Sequence, residues 1–159
     1  MKKFVSLFLV AVMVLSVTAC GDSKEAAKEP ETVGEILLAD FKANSEGTAQ
    51  EVVDCIMQND ILPFETAKMP VEPGFLTGFD NAEITGFEEG VMFAPMMGTI
   101  PFVGYVFVLE DGEDVDAFTN TLEENANLRW NICTEAEELV VEAHENTVFF
   151  LMCPAQFEE

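Results

Sequence analysis

The sequence predicts an α+β domain: an antiparallel sheet of two β-hairpins joined by a helix (β-β-α-β-β), with N-terminal helices packed on one face. Three observations lead to this prediction. Apolar residues recur at helical spacing between residues 33 and 57. Residues 102–109 and 147–153 are runs of β-branched and aromatic residues with the length of buried strands. Each run has a second strand-like run beside it across turn residues, and a helical pattern separates the two pairs.

Two amphipathic helices are expected before the sheet. The first is predicted over about Val33–Ala43, from apolar residues at helical spacing. Thr48 and Glu51 have the spacing of a capping box, so a second helix is expected to begin there and to end at Asn59-Asp60. Its apolar stripe would consist of Val52, Val53, Ile56 and Met57.

Residues 60–83 carry prolines and glycines that predict an irregular segment, although many of the side chains are apolar. Phe75, Leu76 and Phe79 are the candidate partner-binding residues of this loop. An exposed apolar surface rimmed by acids is typical of an interaction site. The alternative is that these side chains cover one end of the sheet.

The first hairpin is predicted from residues 88–94 and from Phe102–Leu109, joined by a connection rich in turn residues. Within the second strand, Gly104 indicates either a bulge or the close approach of another group. Asp114 is a good N-cap for the helix that follows. The second hairpin is expected from Leu139–Ala143 and Thr147–Cys153 around the turn 144–146.

The N-terminus has the pattern of a lipoprotein signal peptide. Lys2 and Lys3 precede an apolar segment that ends in the lipobox Val17-Thr18-Ala19-Cys20. Cleavage after Ala19 would leave a diacylglyceryl-modified Cys20 as the first residue, and its acyl chains (palmitate, for example) would hold the protein on the extracytoplasmic face of the cell membrane. The alternative is an ordinary signal peptide followed by a chance cysteine. The domains are therefore predicted as a signal peptide over 1–19, a lipidated cysteine with a flexible linker over 20–32, and a single α+β domain over 33–159.

The chain is strongly acidic, with 30 Asp and Glu residues against 7 Lys and Arg. Removal of Lys2 and Lys3 with the signal peptide makes the balance still more negative. Nucleic acid is excluded as a partner because no basic patch can form to face phosphate. The partners this charge admits are cationic: divalent metal ions, basic peptides or basic patches on envelope proteins.

Three cysteines follow the anchor. Cys133 and Cys153 flank the second hairpin, whose expected register places Cys153 opposite about Glu137, so the two thiols are predicted to lie near each other with a disulfide left open. Cys55 is expected to be buried and unpaired. His144, the single histidine, could pair with Cys133 or Cys153 across the hairpin, although turn histidines are mostly just solvated.

No pattern in the sequence assigns a chemistry. The nucleophile elbow, Ser-x-x-Lys and His-Glu-x-x-His motifs are all missing, so no catalytic residue, metal ligand or cofactor is predicted. The acids of residues 110–116 do not follow an EF-hand loop and are interpreted as a turn before a helix. Met92, Met96 and Met97 are interpreted as gap-filling side chains and not as a copper site.

The lipobox, the polar linker and the β-β-α-β-β order with its closing apolar strand resemble a group of small uncharacterised exported bacterial lipoproteins, found mainly in Gram-positive anaerobes. The resemblance covers about residues 64–154 and carries no site residues. It implies a surface-anchored accessory or binding protein.

The sequence as a whole predicts a non-enzymatic, membrane-anchored extracytoplasmic lipoprotein that binds another envelope protein. The alternative is a lipoprotein domain that binds a small ligand or a divalent metal ion. An enzyme would require a deep pocket that gathers His144, a cysteine and a carboxylate.

Overall fold

A computed structural model describes residues 30–157, and these form an α+β domain with three helices and a five-stranded antiparallel sheet. The predicted signal peptide and Cys20 lie outside the described residues. The helices are α1 Val33–Ala43, α2 Ala49–Ile56 and α3 Val115–Asn125. The strands are β1 Thr66–Pro70, β2 Gly74–Phe75, β3 Glu83–Ile84, β4 Phe87–Pro95, β5 Val103–Leu109, β6 Glu138–His144 and β7 Thr147–Cys153. No helix of the described chain is both long enough and apolar enough to cross a membrane.

Each helix begins at a side chain that caps its first turn. The capping box of Thr48 and Glu51 is confirmed: the Thr48 side chain accepts a hydrogen bond from the backbone N–H of Glu51, and the Glu51 carboxylate accepts one from that of Thr48. Asp114 is confirmed as the cap of α3, since it accepts from the Ala117 N–H at 3.1 Å. A second capping box, Thr32 with Glu35, stands at the start of α1 and was not predicted.

The strands of the main sheet follow the order β1-β4-β5-β7-β6, and all neighbours are antiparallel. In the β6–β7 hairpin, His144 lies opposite Thr147 and Cys153 lies opposite Glu138. The expected register, with Cys153 opposite about Glu137, differs by one residue. The connection is only Glu145-Asn146, and Glu145 adopts a positive φ of 53° that a tight turn requires.

The sheet is buried on both faces, which explains why every residue of β5 and β7 is buried. The first face packs on α1 and α2 through residues such as Phe149, whose ring stacks on Phe41 at 5.2 Å. The second face packs on α3 through Phe107 and Phe118. The helix between the hairpins, α3, therefore lies on the face of the sheet opposite to α1 and α2. Two strands with no exposed residue need cover on both sides.

Residues 60–83 were predicted to be irregular, and this is wrong in part. The segment contains the edge strand β1 and the short pair β2–β3. Pro70 is compatible with β1 because it ends a strand that pairs only with β4. Four residues of β1 are exposed, so it lacks the apolar alternation by which strands are recognised.

Gly104 lies where the Phe93 ring crosses β5. The two residues are opposite each other in an unbroken register, so Gly104 marks a close approach and not a bulge. A Cβ atom at this position would overlap the Phe93 ring, which is fully buried.

Candidate functional site

The segment 71–83, which we call the Phe75 loop, is fixed to the α3 face of the sheet. The Tyr105 hydroxyl donates a hydrogen bond to the Thr77 carbonyl at 2.8 Å, and the Asn127 N–H donates to the Gly78 carbonyl at 2.8 Å. The Phe79 ring packs on Phe150 with centroids 4.6 Å apart. Burial raises the pKa of Tyr105 well above its usual range, so its hydroxyl stays a proton donor to the loop.

The three candidate residues of this loop have different environments. Phe79 is 4% exposed and belongs to the core, Leu76 is half-buried against it, and Phe75 is 69% exposed. The alternative interpretation, that loop side chains cover the sheet, is correct for Phe79 and in part for Leu76. Phe75 is the one candidate of the three that is free to contact another molecule.

Two acidic residues of the Phe75 loop and one exposed methionine lie on the same side of the domain as Phe75. Glu83 is its antiparallel partner in the β2–β3 pair, and Glu72 is exposed at the start of the loop. Met69, which the sequence reading did not select, is 53% exposed on the edge strand β1. Its partner Met92 packs on the α3-side core, so Met69 lies on the same face as the Phe75 loop.

A second exposed apolar surface lies at one end of the sheet. Met96 and Met97 are 65% and 83% exposed in the β4–β5 connection, and Ile132 is 92% exposed. The Asn131 side chain donates to the Gly98 carbonyl at 3.1 Å and holds the two segments together. We call Met96, Met97 and Ile132 the apolar tip. The prediction that Met96 and Met97 fill gaps is wrong, because their connection projects past the strand ends; Met92 is half-buried as expected.

The enzyme hypothesis requires a pocket in which His144, a cysteine and a carboxylate lie together. One open cleft of about 420 Å³ between α1, α2 and the end of β6 is lined by His144, Cys55 and Glu51. The Glu51 carboxylate already accepts from the backbone N–H and the hydroxyl of Thr48, both at 3.0 Å. These bonds lower the pKa of Glu51. Within residues 30–157, no hydrogen bond joins Cys55 to His144, so the cleft brings the thiol and imidazole to one surface without pairing them.

The cysteines correct two expectations. Cys55 is exposed, not buried, since at 100° per residue it lies roughly 110° around α2 from the middle of the buried stripe. His144 cannot pair with Cys153, because the two lie at opposite ends of the β6–β7 hairpin, roughly 20 Å apart at the usual strand rise. Cys133 and Cys153 are both free thiols, one exposed and one buried.

The Cys153 thiol is expected to resist alkylation in the folded protein. It is fully buried and its S–H points to Glu138 Oε2 at 3.8 Å. Burial, and secondly the charge of Glu138, raise the pKa of Cys153 and suppress the reactive thiolate. Treatment with iodoacetamide at pH 8, followed by peptide mass spectrometry, should modify Cys55 and Cys133 long before Cys153. In urea all three should react alike, and equal rates in the native protein would contradict this environment for Cys153.

The acids from Glu110 to Asp114 lie in the turn between β5 and α3, as predicted, with Asp114 as the helix cap, and Asp116 lies in the first turn of α3. In the described part of the chain, no three His, Cys, Asp or Glu side chains come together in a way that could hold a metal ion.

No protein-family model, curated protein or solved structure matches this chain. The interpretation of the site therefore depends on the residues themselves. The two candidate contact surfaces are the Phe75 loop and the apolar tip, because large apolar side chains exposed to water are typical of contact surfaces.

Proposed function

We propose that this protein is a membrane-anchored, extracytoplasmic lipoprotein without enzymatic activity, and that its domain binds another protein of the cell envelope through the Phe75 loop. The lipobox ending at Cys20 supports the anchor. The single observation that carries the binding is Phe75, a phenyl ring 69% exposed on a loop whose other aromatic residue, Phe79, is locked in the core. A ring presented by a fixed loop loses little conformational entropy when it is bound.

The surroundings of Phe75 indicate the chemistry of the partner. Glu83 is the strand partner of Phe75, Glu72 precedes it in the same loop, and the chain as a whole has a net charge of −23. A partner with an apolar pocket edged by Lys or Arg would complement this surface, because opposite charges steer association and an aromatic anchor in a pocket supplies affinity. The β-β-α-β-β unit from β4 to β7, with α1 and α2 on one face, is part of the proposal as the frame that presents the loop.

Photo-crosslinking in living cells tests the proposal. A photoreactive amino acid at Glu83, opposite Phe75, is expected to form an adduct with one envelope protein. Phe75→Asp should reduce that adduct at least about tenfold, since a central aromatic anchor is worth more than 1.4 kcal/mol. The same photoreactive residue at Glu46, exposed between α1 and α2, is the matched control and should not form the adduct. An adduct that survives Phe75→Asp unchanged would contradict binding through this loop.

A further inference from the structure

The described chain begins at the end of the sheet where β7 finishes. The Val33 N–H, at the start of α1, donates to the Ala155 carbonyl at 3.0 Å. Glu31 lines the same surface depression as Ile61 and Phe157. We call this side of the domain the entry end. A tether attached at Cys20 therefore reaches the domain at its entry end.

The apolar tip lies at the entry end too. Met96 and Met97 belong to the connection between the end of β4 and the start of β5, and Val103 at that start lies opposite Met152 near the end of β7. Ile132 precedes β6, whose first residue is opposite Cys153. The half-buried Ile100 and Phe157 lie between the tip and the entry point and line one further depression of about 470 Å³.

The opposite end of the sheet carries the densest acidic segment. Glu110 directly follows β5, and the run to Asp116 contains five acids among seven residues. Glu145, in the β6–β7 turn, lies at that end as well. Exposed apolar side chains therefore mark the entry end, where Glu135 and Glu137 line the same depression as Ile100, and the acidic run marks the far end. Near an anionic membrane surface, the acidic run disfavours any orientation in which the far end meets the lipid.

The chain between the lipid and the domain is short. Nine residues lie between Cys20 and Pro30, so over these ten steps even a fully extended backbone can place the domain no more than about 36 Å from the anchor. Such a tether gives the tip an effective concentration at the membrane in the millimolar range, which turns a weak contact into an intramolecular one.

From these observations we propose that the apolar tip contacts the lipid surface, inserting Met97 and Ile132, so that the domain stands on its entry end with its acidic end outward. The inference depends on the proposed lipid anchor and adds to it a second, orienting contact with the membrane. In this orientation the Phe75 loop, on the α3 face of the sheet, faces sideways along the membrane and stays accessible to a neighbouring envelope protein.

Fluorescence quenching by brominated phosphatidylcholine tests the inference in the full-length lipoprotein reconstituted into vesicles. Trp130→Phe removes the native indole, and Met97→Trp then places one on the tip. Interfacial groups lie about 5–10 Å deep, within reach of bromines on the upper acyl chain. Emission from position 97 is expected to fall at least about twofold relative to unbrominated vesicles. Phe75→Trp in the same background is the matched control, exposed on another surface, and should not be quenched.

The outcomes separate this inference from the anchor on which it depends. Vesicle flotation reports the anchor alone, so protein that fails to float would overturn the proposed lipoprotein. Protein that floats while position 97 shows no quenching would overturn the tip contact only. A blue shift of the position 97 emission that grows with protein density and is independent of bromine would point to a second copy of the chain on the tip, and would also overturn the lipid contact.

Discussion

Replacing Cys20 by Ala is expected to abolish incorporation of labelled palmitate into the protein and to block the normal cleavage after Ala19. In the proposed lipoprotein the Cys20 thiol accepts the diacylglyceryl group, and the alanine methyl group has no atom that could accept it. Without acyl chains the protein either leaves the membrane fraction or stays tethered by its uncleaved signal. The missing label separates both outcomes from the wild type, and a larger apparent mass marks the form that keeps its signal.

Cys133→Ala is the matched control for that experiment. Cys133 is a free, exposed thiol in a turn of the folded domain. If palmitate reaches the protein only through the lipobox, this variant should keep its full label and its membrane association. Label that persists in Cys20→Ala and disappears in Cys133→Ala would place the acyl group on the domain and contradict the anchor.

The second large effect is expected for Gly104→Ala, which should lower the free energy of unfolding by about 1–3 kcal/mol. The new methyl group would overlap the Phe93 ring, and that ring is held between the first-face residues Phe102 and Phe149. Neither the β5 backbone, paired on both sides, nor the buried ring can move away freely. Urea unfolding of wild type and variant measures the difference directly.

Gly98→Ala is the control for the glycine itself. A Cβ atom at Gly98 meets no atom within 4 Å, so this variant should keep the stability of the wild type or gain slightly. The double variant Phe93→Leu with Gly104→Ala should lose less than the sum of its single variants, because removing the ring makes room for the methyl group. Strict additivity would contradict the overlap of residue 104 with Phe93.

The parts of the fold that the sequence predicted are those with a local physical signal. α1 and α2 have apolar stripes, and Thr48 and Asp114 are cap residues directly before their helices. β5 and β7 are continuous apolar runs. The predictions that were wrong concern elements whose structure depends on contacts between residues distant in sequence. β1 becomes a strand only because β4 offers it an edge, and nothing in its mostly exposed residues indicates this.

The exposure of single side chains was the least predictable part of the candidate site. Phe75 and Phe79 are four residues apart in one apolar segment, yet one is exposed and the other lies in the core. The difference arises because residues 78–80 pair with residues 125–127 at the end of α3, which is a tertiary contact. Ile132 carried no signal at all, since an isolated isoleucine in a polar stretch is as compatible with burial as with exposure.

Mass spectrometry of the N-terminal peptide of the wild-type protein, purified from membranes, is the most direct test of the proposed lipid anchor. Trypsin should release the peptide Cys20–Lys24, and its mass decides the question. This peptide is expected to begin at Cys20 and to carry a diacylglyceryl group, with or without a further acyl chain on its amine. A wild-type peptide with an unmodified Cys20, or one that still continues into Ala19 and Thr18, would contradict the anchor, and with it the membrane orientation inferred for the apolar tip.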